Sequence, residues 1–293
     1  MEERKRPREA EAEEALSEKK KQRAADVSDG KRFQLWGTQC TASQRSEMLL
    51  DDVAIYSVTD ARTADRITKI ALGLEGGPFR EVCDGCACVG GNVVSFARAV
   101  AGKGGAVSGI EVDETRFEFL KHNVRTAGLE AECLCADVAS ATAKEAPKEE
   151  GAAARPDLGA ARAAVRRAEL LFLDPPWGGP EVSARPMGSV SFAMSGVGLG
   201  ELCVRCAAPD FATKHVLLKL PPNYNTDKLK ADVADVADVR LEVKLRKMIL
   251  AIVSFRSAPA GAEPDAQDDG GEPKPAAPTG EPKPAPSDTK EST

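Results

Sequence analysis

Four apolar residues, Leu170-Leu171-Phe172-Leu173, run without a break into Asp174-Pro175-Pro176-Trp177-Gly178-Gly179-Pro180. No other stretch constrains the fold as much. An uninterrupted apolar run of this length reads as a strand buried on both faces, the kind found in a parallel sheet with helices on each side. Proline donates no ladder hydrogen bond, so a central strand cannot continue through Pro175 and Pro176. The chain has to leave the sheet at Asp174. The Asp174 carboxylate, the carbonyls of Asp174 and Pro175 and the Trp177 ring then collect beyond the carboxyl end of a strand, where open α/β sheets bind ligands. Fixed carbonyls suit the N–H bonds of an amino group, and Trp177 offers a large π face for stacking a flat ring.

The rest of the chain alternates strand and helix patterns. Phe79–Asp84 reads as a first strand, followed by the turn Gly85-Cys86-Ala87-Cys88-Val89-Gly90-Gly91-Asn92 and a helix over Val93–Ala101. Ala106–Glu111 is a second strand ending in acid. Such an acid binds ribose hydroxyls in Rossmann-like nucleotide sites, which makes Glu111 the first candidate and Asp113 the second. Asp84 ends the first strand as a candidate for an ammonium group, and Gly90 and Gly91 let backbone approach a ligand. Glu114–Ala127 is an amphipathic helix stopped by Gly128. Ala131–Cys135 is a third strand, and Asp137 after it is either a base-reading acid or a helix N-cap. Residues 138–168, rich in Ala, Lys and Glu, read as a polar, partly helical insertion without chemistry. Gly178–Gly200, with six glycines, reads as a lid-like loop. Helices over Gly200–Ala208 and Asp227–Val236 flank a strand at His215–Leu220, capped on the site side by Pro221-Pro222-Asn223-Tyr224. Val239–Leu245 and Ile249–Phe255 close the sheet. Ahead of all this, Phe33 to Leu72 reads as a helical lead-in, with Thr59 or Asp60 as N-cap of a helix over Ala61–Leu72.

The two ends differ from the middle. Residues 1–30 mix charge blocks without a core face, and residues 257–293 are rich in Pro, Gly and acid without a large apolar residue; both read as disordered. The clusters Arg4-Lys5-Arg6-Pro7-Arg8 and Lys19-Lys20-Lys21-Gln22-Arg23 have the form of a bipartite nuclear import signal, or are plain solvated charge. Without both ends, the 46 acids and 40 bases reduce to equal numbers. A neutral core does not hold long nucleic acid by bulk charge, and suits a protein that reads one nucleotide closely. No apolar run approaches a membrane span, the first residues are unlike a secretory signal, and no phosphate-binding lysine loop is present. The eight cysteines read as reduced thiols of an intracellular protein. That includes Cys203 and Cys206, despite their zinc-type spacing, and no metal is expected. His122 and His215 lack partner patterns and read as structural.

Asp174-Pro175-Pro176-Trp177 resembles the fourth motif of methyltransferases that use S-adenosylmethionine on amino nitrogens. Ser57-Val58-Thr59, Asp84 with Gly90-Gly91-Asn92, Ile110-Glu111-Val112-Asp113, Asn123, Asp137 and Leu173 through Pro180 together resemble the trimethylguanosine synthase family, the RNA cap guanine-N2 methyltransferases, over about Phe33 to Phe255. The resemblance implies an α/β, Rossmann-like class I methyltransferase: a seven-stranded, mostly parallel sheet with helices on both faces (residues 73–256) behind a small N-terminal helical extension (31–72). It implies S-adenosylmethionine as cofactor, held by Thr59, Asp84, Cys86, Gly90, Gly91, Asn92, Glu111, Asp113 and Asp137. It implies Asp174, Pro175, Pro176 and Trp177 as the transfer site, with Trp177, Asp174 and Asn223 against a 7-methylguanosine cap. The partner implied is capped small nuclear or nucleolar RNA. The protein implied is a monomer working in the nucleus or nucleolus, with the cytoplasm as a second location. Two other readings stand beside it: an amino methyltransferase on ribosomal or other RNA, and a cap-binding homologue without transfer activity. The chain departs from the family pattern in four places. Cys86 stands for Phe, Cys88 for the first turn Gly, Asp174 for Ser and Asp60 for Pro. A Cβ at Cys88 is strained if φ is positive there.

Overall fold

The computed structural model describes residues 27–144, 157–242, 245 and 248–256. The two basic clusters, the acidic tail and the middle of the expected insertion lie outside the described residues.

The described residues begin with four α-helices: α1 (Asp29–Trp36), α2 (Ala42–Glu47), α3 (Ala54–Ser57) and α4 (Ala61–Leu72). Side chains satisfy their orphan amides. Ser28 caps α1, Thr41 and Gln44 form a reciprocal capping box on α2, and Asp60, rather than Thr59, accepts from Thr63 to start α4. Strands β1 (Glu81–Asp84), β2 (Ala106–Glu111), β3 (Glu132–Cys135), β4 (Leu170–Leu173), β7 (His215–Leu220), β8 (Ala237–Glu242) and β9 (Ile249–Phe255) form one sheet in the order β3-β2-β1-β4-β7-β9-β8. Pairing is parallel from β3 through to β7, and β9 runs antiparallel to both β7 and β8. The order reverses between β1 and β4, so the carboxyl ends of those two strands flank the crevice in which such sheets bind ligands.

Alternation along β4 and β7 divides the core. Leu171, Leu173, Val216 and Leu218 face one cluster, with helices α8 (Leu158–Arg167) and α9 (Leu199–Cys206). Leu170, Phe172 and Leu217 face the other, with α4 and α5 (Gly91–Val100). A third cluster of Trp36, Met48, Leu50, Val94 and Phe119 lies between the N-terminal helices and helices α5 and α6 (Glu114–Thr126). Helix α5 is therefore buried on two sides, Val93 and Phe96 toward the sheet and Val94 toward the N-terminal layer. Each such large apolar side chain contributes about 1.5–3 kcal/mol on burial. Polar clamps complete the docking. The buried Asn123 amide accepts from Leu49 N at 2.7 Å and donates to Leu49 O and Val89 O at 2.9 Å each. Buried Arg32 donates to Arg45 O and Met48 O at 2.8 Å.

Two segments differ from expectation. Both described ends of 138–168 are core, not polar insertion. Val138, Ala139 and Ala141 of helix α7 (Val138–Ala141) and Ala161, Ala164 and Val165 of α8 are buried, because α8 is the crossover between β3 and β4. The glycine-rich stretch 178–200 holds a 3-10 turn at Pro180–Ala184 and a small hairpin of β5 (Ala193–Met194) and β6 (Val197–Gly198). Val190 pairs with Tyr224, ahead of helix α10 (Thr226–Val233). The terminal pair is also shifted, with β8 starting at Ala237. Among the described residues, no helix is long and apolar enough to cross a membrane.

Replacing Asn123 with Ala strips three backbone groups, one buried and two partly buried, of their partner, and the expected loss is about 2–4 kcal/mol. Denaturant unfolding of N123A measures it; a loss under about 1 kcal/mol contradicts the clamp.

Candidate active site

A cavity of about 460 Å³ opens at the carboxyl ends of β1, β2 and β4, within the range of small-molecule sites. Its wall includes Cys86 and Cys88 from the turn after β1, Glu111 and Val112 from the end of β2, Asp137 and Val138 after β3, and Asp174 to Trp177 after β4. Residues from four separate segments of sequence thus meet, as their strand-end positions imply.

The turn after β1 is built around hydrogen bonds. Asp84 Oδ1 accepts from Cys86 N at 3.0 Å, Gly90 N donates to Ala87 O at 2.8 Å, and Cys88 N donates to Glu111 Oε2 at 2.8 Å. Cys88 has φ +49°, the left-handed region that costs a residue with a Cβ about 1–2 kcal/mol. The strain expected from its replacing glycine is present, and the bond to Glu111 holds it. Glu111 also accepts from Asp113 N at 2.9 Å and meets Arg116 Nε at 3.4 Å. Arg116 lines the cavity and ties Glu111 to Asp51 and Asp113.

Several expected contacts are elsewhere. Asp84 is wholly buried and is not in the cavity wall; its Oδ2 has no partner among the described residues. Gly90 and Gly91 are not in the cavity wall: Gly90 holds φ +100°, and a Cβ on Gly91 would lie 2.6 Å from Thr59 O. In the turn after β1 it is Gly85 that lines the cavity, and a Cβ there would collide with Leu173 at 2.6 Å. Asp113 caps α6 and lies outside the wall. Asp137 is the N-cap of α7, accepting from Ala139 N and Ser140 N at 3.2 Å each, and it also lines the cavity. Asn223 is buried and outside the cavity wall; its Nδ2 donates to Val182 O and Arg185 O, at 2.7 and 3.0 Å, and pins the loop, while its Oδ1 has no partner among the described residues. Thr59 and Asn92 are buried behind the wall, with Asn92 Nδ2 donating to Thr59 Oγ1 at 3.0 Å.

Sequence reasoning missed Lys219. It is 6% exposed, and its Nζ lies 2.6 Å from Asp174 Oδ2 and 3.0 Å from Thr59 Oγ1. Its main-chain oxygen accepts from Trp177 Nε1 at 3.2 Å, fixing the indole. A lysine inside the strand His-Val-Leu-Leu-Lys-Leu was the available signal, because a buried ammonium requires a partner. Tyr56, 86% exposed, and Val53 add apolar rim.

Burial raises the Asp174 carboxyl above the usual carboxylate range, against the pull of Lys219 and Thr59. Burial pushes Asp84 further, up to about 8, with Asp174 and Glu111 adding to the shift and the Cys86 amide and Lys219 opposing it. The donor set and shape fit S-adenosylmethionine. Glu111 has lone pairs left for hydroxyls, and Ile110, Val112 and Val138 offer flat apolar walls.

A model of the RNA cap guanine-N2 methyltransferase family matches residues 79–254. No curated protein matches the chain. Among solved structures, a putative class I S-adenosylmethionine-dependent methyltransferase from Listeria monocytogenes is 11% identical, with 83% of this chain and 73% of that chain covered at a TM-score of 0.47. TrmN from Thermus thermophilus is 14% identical, with 69% and 51% covered at 0.45. The T. thermophilus 16S rRNA N2 G1207 methyltransferase, in complex with AdoMet and guanosine, is 16% identical, with 71% and 44% covered at 0.44. The chain spans about half the length of the two Thermus proteins.

The Asp84 shift predicts a pH effect. The folded value lies above the unfolded one of about 3.9, so the native state keeps a proton that the unfolded state releases. Stability from this group is therefore full below about pH 4 and falls as pH rises toward about 8. Denaturant unfolding should show wild type losing stability relative to D84N between those limits; a difference independent of pH contradicts the assignment.

Proposed function

This chain belongs to the RNA cap guanine-N2 methyltransferase family, and we propose that it transfers methyl groups to the exocyclic N2 of a 7-methylguanosine RNA cap. The fold is the Rossmann-like sheet of class I methyltransferases, and S-adenosylmethionine is the methyl donor. The observation that carries the reading is that Asp174-Pro175-Pro176-Trp177 faces the same cavity as Glu111 and Asp137.

Bound there, S-adenosylmethionine supplies an electrophilic methyl on a sulfonium that leaves as a neutral thioether. Glu111 would accept from the ribose hydroxyls, Asp137 would read the adenine amine, and the Gly85 backbone would let the donor approach the end of β1. The protein's remaining work is on the acceptor. Trp177, with its indole N–H held by Lys219 O, presents a fixed ring face. A 7-methylguanine ring is positively charged, so stacking on that face gains a cation–π contribution of about 1–2 kcal/mol when desolvated. This favours a methylated cap over plain guanine. Lys219 Nζ is 5.5 Å from the same ring centroid, and its pairing with Asp174 balances that charge. The carbonyls of the Asp174-Pro175-Pro176 turn and the Asp174 carboxylate accept the N–H bonds of N2 and aim its lone pair, and the proton that N2 sheds on methylation passes to the Asp174 carboxylate or to solvent. Acceleration comes mainly from proximity and orientation. The reading extends to small nuclear and nucleolar RNA as substrates and to a monomer working in the nucleus. The basic clusters that support a nuclear address lie outside the described residues.

Trp177→Ala tests the reading by titration calorimetry. The expected result is donor affinity within about twofold of wild type and at least about tenfold weaker binding of a 7-methylguanosine cap dinucleotide, with methylation lost. Loss of donor binding with cap binding retained contradicts the role of Trp177.

A further inference from the structure

We infer that Lys219 is a positioning residue for methyl transfer: its ammonium holds one oxygen of Asp174 so that the other stays turned to the acceptor amine. The inference rests on the functional reading above and adds a residue which the motif at Asp174 does not contain.

Strand register puts Lys219 there. Leu173 pairs with Leu218, so the next residues along, Asp174 and Lys219, sit side by side at the ends of β4 and β7. Both are largely buried, with side-chain exposures of 14% and 8%, and the N–O distance is 2.6 Å. Oδ2 takes both protein donors, Lys219 Nζ and, at 3.4 Å, Thr59 Oγ1. Oδ1 receives no hydrogen bond among the described residues, and Asp174 lines the cavity. A carboxylate gripped by one oxygen cannot rotate freely, so the free oxygen points in one direction before a substrate arrives. The same lysine fixes Trp177 through its main-chain oxygen. One residue thus sets the acceptor of the N–H bond and the plane of the ring that carries it.

The charged surroundings make the lysine's part measurable. The groups facing Asp174 are Lys219 from β7, Thr59 from the segment before α4, and Asp84 and Cys86 from β1 and its turn. The carboxyl and the thiol add no positive charge, so Lys219, helped by the weaker Thr59 hydrogen bond, is the main group opposing the burial that favours a protonated Asp174. An ionised Asp174 accepts the N–H bond; a protonated one accepts it less well.

The test uses the full chain, S-adenosylmethionine and a 7-methylguanosine cap dinucleotide, with K219M, K219R, D174N and D174N/K219M. For K219M we expect kcat reduced at least about tenfold, with KM and donor Kd within about threefold, and an acid limb of the kcat profile moved to higher pH. K219R should recover most of kcat and return the limb, which a purely structural role would not require. If K219M unfolds, the double variant is read instead, since it buries no unpaired charge. Its kcat should equal that of D174N, there being no carboxylate left to position. Unchanged kcat and acid limb in K219M, or a double variant at least about tenfold slower than D174N, overturns the inference alone. Wild type that leaves the cap N2 unmethylated overturns the functional reading and the inference together.

Discussion

Two prolines that cannot join a ladder end β4, and the geometry of the site follows from that constraint. β4 is the strand next to the reversal of strand order, so a chain forced out at Asp174 leaves over the crevice between β1 and β4. Gly85 N donates to Phe172 O at 2.8 Å, locking the turn after β1 to the last residues of β4. The turn after β1 and the Asp174 turn, on the two sides of the cavity, are therefore joined through the sheet. Such rigidity suits a transfer that depends on placing a lone pair in line with a methyl group.

A second layer of support comes from the N-terminal helices. They do not line the centre of the cavity, yet their polar contacts converge on it. Asn123 ties Leu49 to Val89 at the end of the turn after β1, Asp51 reaches Glu111 through Arg116, and Thr59 meets Asp174, Lys219 and Asn92. Gly91 exists for this docking, since any side chain there would push Thr59 away. Removing the layer would expose the third apolar cluster and also strip Lys219 and Asp174 of a shared hydroxyl. Stability and site geometry thus draw on the same contacts.

Much of the architecture was legible because period and punctuation report backbone directly. The apolar run 170–173, the acid at Glu111 and the helix 61–72 all stand where pattern placed them. The residues read differently by sequence and structure share a physical cause: their roles depend on what lies across from them. Lys219 looked like one polar residue in a strand until register set it beside Asp174. Ala161, Ala164 and Val165 form a small-residue face that packs closely on the sheet, yet an alanine-rich composition reads as low complexity. Asn223 sits beside a site-side turn, but its Nδ2 is consumed by the loop at 182–185. Asp84 ends a strand like Glu111, and only burial distinguishes a walled-off acid from one facing the cavity.

The central claim is that this cavity methylates the amino group of a cap already methylated at N7. Mass spectrometry of the products formed from S-adenosylmethionine with 7-methylguanosine and unmethylated cap dinucleotides, in parallel, tests it most directly. The account predicts a gain of one or two methyl groups on the 7-methylguanosine dinucleotide, mapped to N2, and none on the other. Equal methylation of both dinucleotides, or transfer to uncapped RNA with neither dinucleotide modified, contradicts it.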